Sequence, residues 1–470
     1  MSLLVRLRLT PRGLDRLGLL AAVGSALIIR AIPQLLFPYP IGFDTSLYLG
    51  FAKAHAMNPD PFRIFEQILA IPYLAGANML VVMEIAPIIV YGVLALGIYI
   101  FARNALKWSV SMSFFVSLYL SLSLSALRMS WDMHDLVFGL ALLLLTLSFV
   151  GKVGGMRPRY QAAFVILSLV TMLSHELVAL ALLGVLATEA FLTTSKTEKR
   201  IYGGLVALGL GAFLGVWYIG DLGKVFDWVY PIFQGSAFFE PRPLGGTLVF
   251  LIQVYSISIP FALFGFFRQR ALLVMLAFFL LGSFAPLLTP TFLLGGIPQW
   301  RYMLLLVVPV SFYVVNGVKR IFRGRLSSLM IVGILLLNSG SLSFIGAAGA
   351  PPYYQVTGEV PPSMVQTSAP LADIPSMIQL LQQVPSAPNT TLLIYGDWLG
   401  WANYFSNAKV VGFGGEYNVN ATLAGALGTI PNKQNLWLLW WDAQQAESLR
   451  FTEVGFRGSL FLFHYSGGLN

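Results

Sequence analysis

The chain has no cysteine among its 470 residues. Disulfides, thiolate metal sites and a thiol nucleophile are therefore excluded. Charge is scarce as well: Asp, Glu, Lys and Arg make up 10% of the sequence, where soluble domains carry about 25%. There is no Walker loop, no glycine-rich dinucleotide fingerprint after a strand, no HExxH and no GxSxG. These absences remove the nucleotide cradle, the zinc peptidase helix and the serine-hydrolase elbow from consideration.

What is present is apolar. Hydrophobic residues form 57% of the chain. They gather in runs of about 20 residues, the length a helix needs to cross the hydrocarbon core. The expected fold is a polytopic α-helical membrane protein of about 11 transmembrane helices (residues 1–349) with a small C-terminal extracytoplasmic α/β domain (350–470). The predicted spans are Leu17–Leu36, Asn78–Phe101, Val110–Ala126, Leu136–Val150, Tyr160–Leu173, Leu177–Leu192, Ile201–Ile219, Thr247–Phe267, Ala271–Leu288, Tyr302–Val318 and Leu326–Ile345. The first run is long and has no small-x-small cleavage site before Pro38–Pro40, so it reads as a retained span.

The net charge of +9 does not indicate a nucleic-acid partner, because the basic residues lie in short gaps between apolar runs. Eighteen Lys and Arg fall in the segments assigned inside, and of 20 acidic residues only Asp15, Glu189 and Glu198 do. By the positive-inside rule the protein is a multi-pass protein of the cell membrane, its N-terminus cytoplasmic and its C-terminal domain outside.

The tail opens with a proline-rich linker (Pro351, Pro352, Pro361, Pro362, Pro370). Thr391–Tyr395, Lys409–Phe413, Asn435–Trp441 and Ser459–Phe463 read as strands, and Ser376–Val384 and Thr422–Leu427 as helices. Asn389-Thr390-Thr391 and Asn420-Ala421-Thr422 match glycosylation acceptors.

Polar residues cluster at the outer ends of spans. Asp44 follows the first span in Gly42-Phe43-Asp44, among apolar and aromatic neighbours that suit a partly desolvated general base; it also stands where an Asp would cap the helix that follows. Asp132-Met133-His134-Asp135 precedes span four, with Asp132 and Asp135 at i, i+3 on one face. This group reads equally as a cation or acceptor site and as a helix start in which Arg128 pairs with an acid. His175-Glu176 at the outer end of span five is suited to bonding a sugar or phosphate, or to ending a helix pair. Arg301 is placed to meet an anionic head group or to snorkel. Glu84 lies inside span two, where an acid is a functional candidate, with Arg30 as its structural partner.

Taken together, Gly42-Phe43-Asp44 in a long outer first loop, Asp132-Met133-His134 before span four, and a soluble domain after the last span resemble the GT-C superfamily of integral membrane glycosyltransferases, the group that includes dolichyl-phosphate-mannose-dependent enzymes and oligosaccharyltransferases. The resemblance implies transfer of a sugar from a polyprenyl-phosphate-linked donor to a glycan, lipid or protein acceptor, of inverting type, with Asp44 as base. It sets Asp132 and His134 in the place of the second acidic motif, and Arg301 near the lipid phosphate. It leaves a divalent cation, Mg or Mn, open as a cofactor, with Asp44, Asp132 and His134 as ligands. The chain departs from oligosaccharyltransferases in reading Asp-x-His at the second motif and in lacking WWDYG; it has Tyr395-Gly396-Asp397-Trp398 and Trp440-Trp441-Asp442 instead. A monosaccharide-type transferase is therefore favoured. The alternatives are a transporter or lipid flippase, which would place its charges at the midplane, and a non-catalytic membrane scaffold with an outer binding domain.

Overall fold

The apolar runs fold as helices in this computed structural model, which describes residues 11–35, 37–42, 44–58, 64–218, 248, 251–252, 254–255, 257–288, 299–322, 325–348, 368–370, 372–387, 389–415 and 421–467. In chain order the helices are α1 (Pro11–Leu35), α2 (Thr45–Met57), α3 (Ile64–Leu74), α4 (Met79–Asn104), α5 (Val110–Leu122), α6 (Leu124–Asp132), α7 (His134–Leu147), α8 (Pro158–Met172), α9 (Glu176–Leu192), α10 (Lys196–Tyr218), α11 (Ser258–Phe264), α12 (Arg270–Leu288), α13 (Gln299–Leu305), α14 (Val307–Ile321) and α15 (Arg325–Ala348). The tail adds α16 (Ile374–Leu381), α17 (Leu399–Phe405), α18 (Leu423–Thr429) and α19 (Ala443–Ser448).

Two units can be distinguished. The first comprises Met1–Leu35, Pro61–Phe65 and Ala86–Met364; the second comprises Leu36–Asp60, Glu66–Ile85 and Val365–Asn470. The segment after the first span thus groups with the tail.

In the first unit the helices are apolar and mutually buried, with Leu94, Ile98, Phe101, Leu140 and Phe312 at its centre. Among the described residues, Arg12–Leu35, Met79–Asn104 and Arg301–Ile321 are long and apolar enough to cross a membrane, and α5 with α6 adds a fourth if that bent pair is one span. The eleven predicted spans are thus met in part. Among the described residues Ile64–Leu74, His134–Leu147, Arg270–Phe284 and Leu329–Ser341 are apolar helices of 10–17 residues, shorter than the roughly 20 residues a span needs. The predicted outer loop 221–245, the loop 290–298 and the linker 351–367 lie outside the described residues.

Predicted span three does not run straight. It breaks at Ser123, whose backbone is extended (φ −70°, ψ 139°), and turns by 62°. Ser123 Oγ accepts the Ala126 amide at 3.3 Å and donates to the Leu120 carbonyl at 2.7 Å. Tyr91 donates its hydroxyl to the Ser121 carbonyl at 2.8 Å. Backbone groups freed by a break in an apolar setting must find such partners.

The second unit is built on a five-stranded sheet of order β2-β1-β3-β5-β4, where β1 is Thr391–Tyr395, β2 Lys409–Phe413, β3 Leu436–Trp440, β4 Phe451–Arg457 and β5 Leu460–Tyr465. β2, β1 and β3 run parallel (Leu393 opposite Val411 and Leu438), and β5 and β4 close the sheet antiparallel. Leu393, Leu438, Phe413 and Phe463 pack with α18 and α19 into one core. Thr422 starts α18 by accepting the Gly425 amide at 3.0 Å. Thr422→Ala is expected to lower the unfolding free energy by about 0.5–2 kcal/mol, read from the denaturation midpoint.

Candidate functional site

The first unit gathers its polar residues around the break between α6 and α7. α6 carries Arg128 and Asp132 at i, i+4, both buried, and they form an ion pair. Asp132 is the last residue of α6. Met133 leaves helical geometry (φ −109°, ψ 63°), and His134 opens α7. Asp132 and Asp135 therefore belong to different helices. The single helical face expected from their spacing is corrected by the backbone of Met133. Asp135 is half-buried, and its Oδ1 accepts the Leu136 amide at 2.8 Å.

His134 is buried beside Phe65, ring centroids 6.3 Å apart, and hydrogen bonds to the Ser130 backbone. Arg30, from α1, reaches the same turn. It is fully buried, and its Nε and Nη2 both donate to the Ser130 carbonyl at 3.3 Å. That carbonyl lies in the last turn of α6, where helix carbonyls lack a partner of their own. Arg30 makes no ion pair with a carboxylate among the described residues, and its Nη1 has no hydrogen bond there. The residue was offered by the sequence only as a partner for Glu84. A lone arginine inside an apolar run was the available signal of something more.

His175 caps α9: its Nδ1 accepts the Leu177 amide at 3.1 Å. Glu176 Oε2 lies 3.1 Å from the same nitrogen. Since the Nδ1 lone pair is occupied by the cap, that approach is not a salt bridge. Arg301 sits half-buried in α13, and the neighbouring Tyr302 lies within the fields of both Arg301 and Glu176. α13 packs on α6, and α9 on α7. The candidates Asp132, His134, His175, Glu176 and Arg301 are thus carried by neighbouring helices of one unit.

Asp44 belongs to the second unit. Gly42 turns the chain with φ 112°, which glycine adopts without strain. Asp44 then takes the N-cap place of α2. Its backbone carbonyl accepts the Leu47 and Tyr48 amides at 2.9 and 3.3 Å. Its carboxylate makes no capping bond. The side chain is half-buried. Glu84, also half-buried, lies in the part of α4 that falls in this unit.

The same unit holds a pair that sequence reasoning did not single out. His55 Nε2 of α2 lies 3.5 Å from Glu66 Oε2 of α3, with side chains 11% and 4% exposed. Glu66 was invisible as a candidate because it stands in a run that reads as an ordinary amphipathic piece. Lys53, also on α2, has its ammonium held below the usual lysine range by burial.

No group of three or more His, Asp or Glu able to hold a metal ion occurs among the described residues. Asp132 is engaged by Arg128. Asp44 belongs to one unit and the Asp132/His134 pair to the other.

No family model matches the chain, and no curated protein matches it. Among solved structures it is similar to the oligosaccharyltransferase of Archaeoglobus fulgidus. The form tethered through a disulfide to an acceptor peptide with the NVT sequon superposes with a TM-score of 0.46 at 12% identity, over 90% of this chain and 69% of that one. The apo form gives 0.44 at 11% identity over the same shares, 90% and 69%. The likeness is remote.

Proposed function

We infer that this chain is a membrane glycosyltransferase that moves a sugar from a polyprenyl-phosphate-linked donor to an acceptor on the extracytoplasmic side. The observation that carries the reading is Asp44, a half-buried carboxylate set at the N-terminus of α2 by the turn at Gly42. In the proposed reaction Asp44 takes the proton of the acceptor nucleophile. The nucleophile attacks the anomeric carbon, the bond from that carbon to the phosphate oxygen breaks, and the polyprenyl phosphate leaves from the opposite face with inversion. Arg301, half-buried in the first unit, is proposed separately as a contact for a phosphate.

The GT-C resemblance of the loop and the second motif supports this assignment, as does the absence of any nucleotide-binding loop, since a lipid-linked donor requires none. The test is transfer from a radiolabelled polyprenyl-phosphate sugar by purified protein and by Asp44→Asn. Equal transfer by the two would remove Asp44 from the chemistry and the reading with it.

A further inference from the structure

Helix α2 carries Asp44 at its head, and one face of α2 is locked against α17 of the tail. Ser46, Gly50 and Lys53 follow at i, i+4 and i+7, so they line one side of the helix. At the first turn, a Cβ at Gly400 would run into the Ser46 carbonyl carbon and the Leu47 nitrogen. Only a glycine allows the two backbones to approach so closely. Ser46 Oγ is 2.9 Å from Ser368 Oγ, and the Trp401 indole donates to that same Ser368 oxygen at 2.9 Å. One turn on, a Cβ at Gly50 would meet Asn403 Cβ at 3.1 Å. At the far end Lys53 Nζ donates to the Tyr404 carbonyl at 3.0 Å, the Ser406 carbonyl at 2.7 Å and Asn407 Oδ1 at 3.0 Å. It thereby completes the C-terminal turn of α17, where carbonyls lack partners and the helix dipole favours a cation.

We propose that Gly400 and Lys53 are positioning residues for Asp44: the tail mounts the first-loop helix and so fixes the carboxylate at its N-terminus. The proposal rests on the reading of Asp44 as the base. It gives the C-terminal segment a task separate from acceptor recognition. The closest backbone approach falls at Ser46 and Leu47, two and three residues from Asp44. A change at this seam therefore displaces the carboxylate directly.

The absence of native cysteine allows a test that needs no substrate. In an Asp44→Cys background, the alkylation rate of the single thiol by N-ethylmaleimide reports local opening at the head of α2. Lys53→Ala and Gly400→Val are each expected to raise that rate about tenfold, because losing a charge-assisted bond or forcing a backbone apart favours local opening. With Asp44 restored, each is expected to cut kcat for sugar transfer about tenfold while KM for the donor holds, since a misplaced base costs rate and not binding. Lys53→Arg, which retains the donors, is expected to recover most of kcat. Unchanged alkylation in both variants overturns the proposal. So does faster alkylation with unchanged kcat, and if Asp44→Asn still abolishes transfer in that case, the base assignment survives alone. Should Asp44→Asn transfer normally, the base reading itself fails, and the positioning role with it.

Discussion

Asp132→Ala is expected to lower the unfolding free energy by about 3–5 kcal/mol, because it leaves the Arg128 guanidinium buried without its counter-charge. Both side chains are nearly inaccessible, at 2% and 4% exposure, and they sit one turn apart on α6. Replacing both partners with apolar residues, as in Arg128→Met with Asp132→Leu, is expected to recover most of that loss, since the desolvation of two ions disappears together with their attraction. Thermal unfolding of the purified protein in detergent, run on the two singles and the double, measures the coupling. A small loss in the single variant would mean that water reaches Arg128, and Asp132 would then regain standing as a ligand for substrate.

Asp44→Asn is expected to give the opposite pattern: activity lost, stability kept. General-base catalysis contributes about 10²–10⁴-fold, so transfer should fall by that factor. Unfolding should shift by no more than about 0.5 kcal/mol, because Asn matches Asp in shape and the carboxylate does not cap α2. Measured side by side, the two variants separate a carboxylate that holds the fold from one that does chemistry. If Asp44→Asn unfolds the protein as severely as Asp132→Ala, Asp44 is a structural acid and the transferase reading loses its centre.

How far the sequence revealed this arrangement depended on which signal each residue gave. β1 and β2 were legible to the residue, since Thr391–Tyr395 and Lys409–Phe413 are short β-branched and apolar runs between turn signals. β4 was not. Phe451–Arg457 mixes Thr, Glu and Arg with Gly455, as an outermost strand with one wet side does. α17 was missed because Leu399–Phe405 is short and lies next to a strand. With it went the seam that holds α2. The break at Ser123 was hidden because every residue on either side is compatible with a continuous helix; only a capping serine marks it. Asp44 and Asp132 were both found as scarce acids. The partner of Asp132 was legible too, because Arg128 stands one helical turn before it; what lies around Asp44 was not, because it depends on packing and not on spacing.

β4 forms one margin of the sheet, and it bares Val454 at 53% and Phe456 at 63% exposure. A smooth ribbon with that much apolar surface would invite a sixth strand from a neighbouring molecule. The register between β4 and β5 slips between Glu453 and Gly455. Such a kink aims successive amides in different directions, so an incoming chain cannot zip along the rim, and Glu453 and Arg457 set charges beside it. The irregularity is expected to disfavour edge-to-edge pairing between this sheet and that of a second copy.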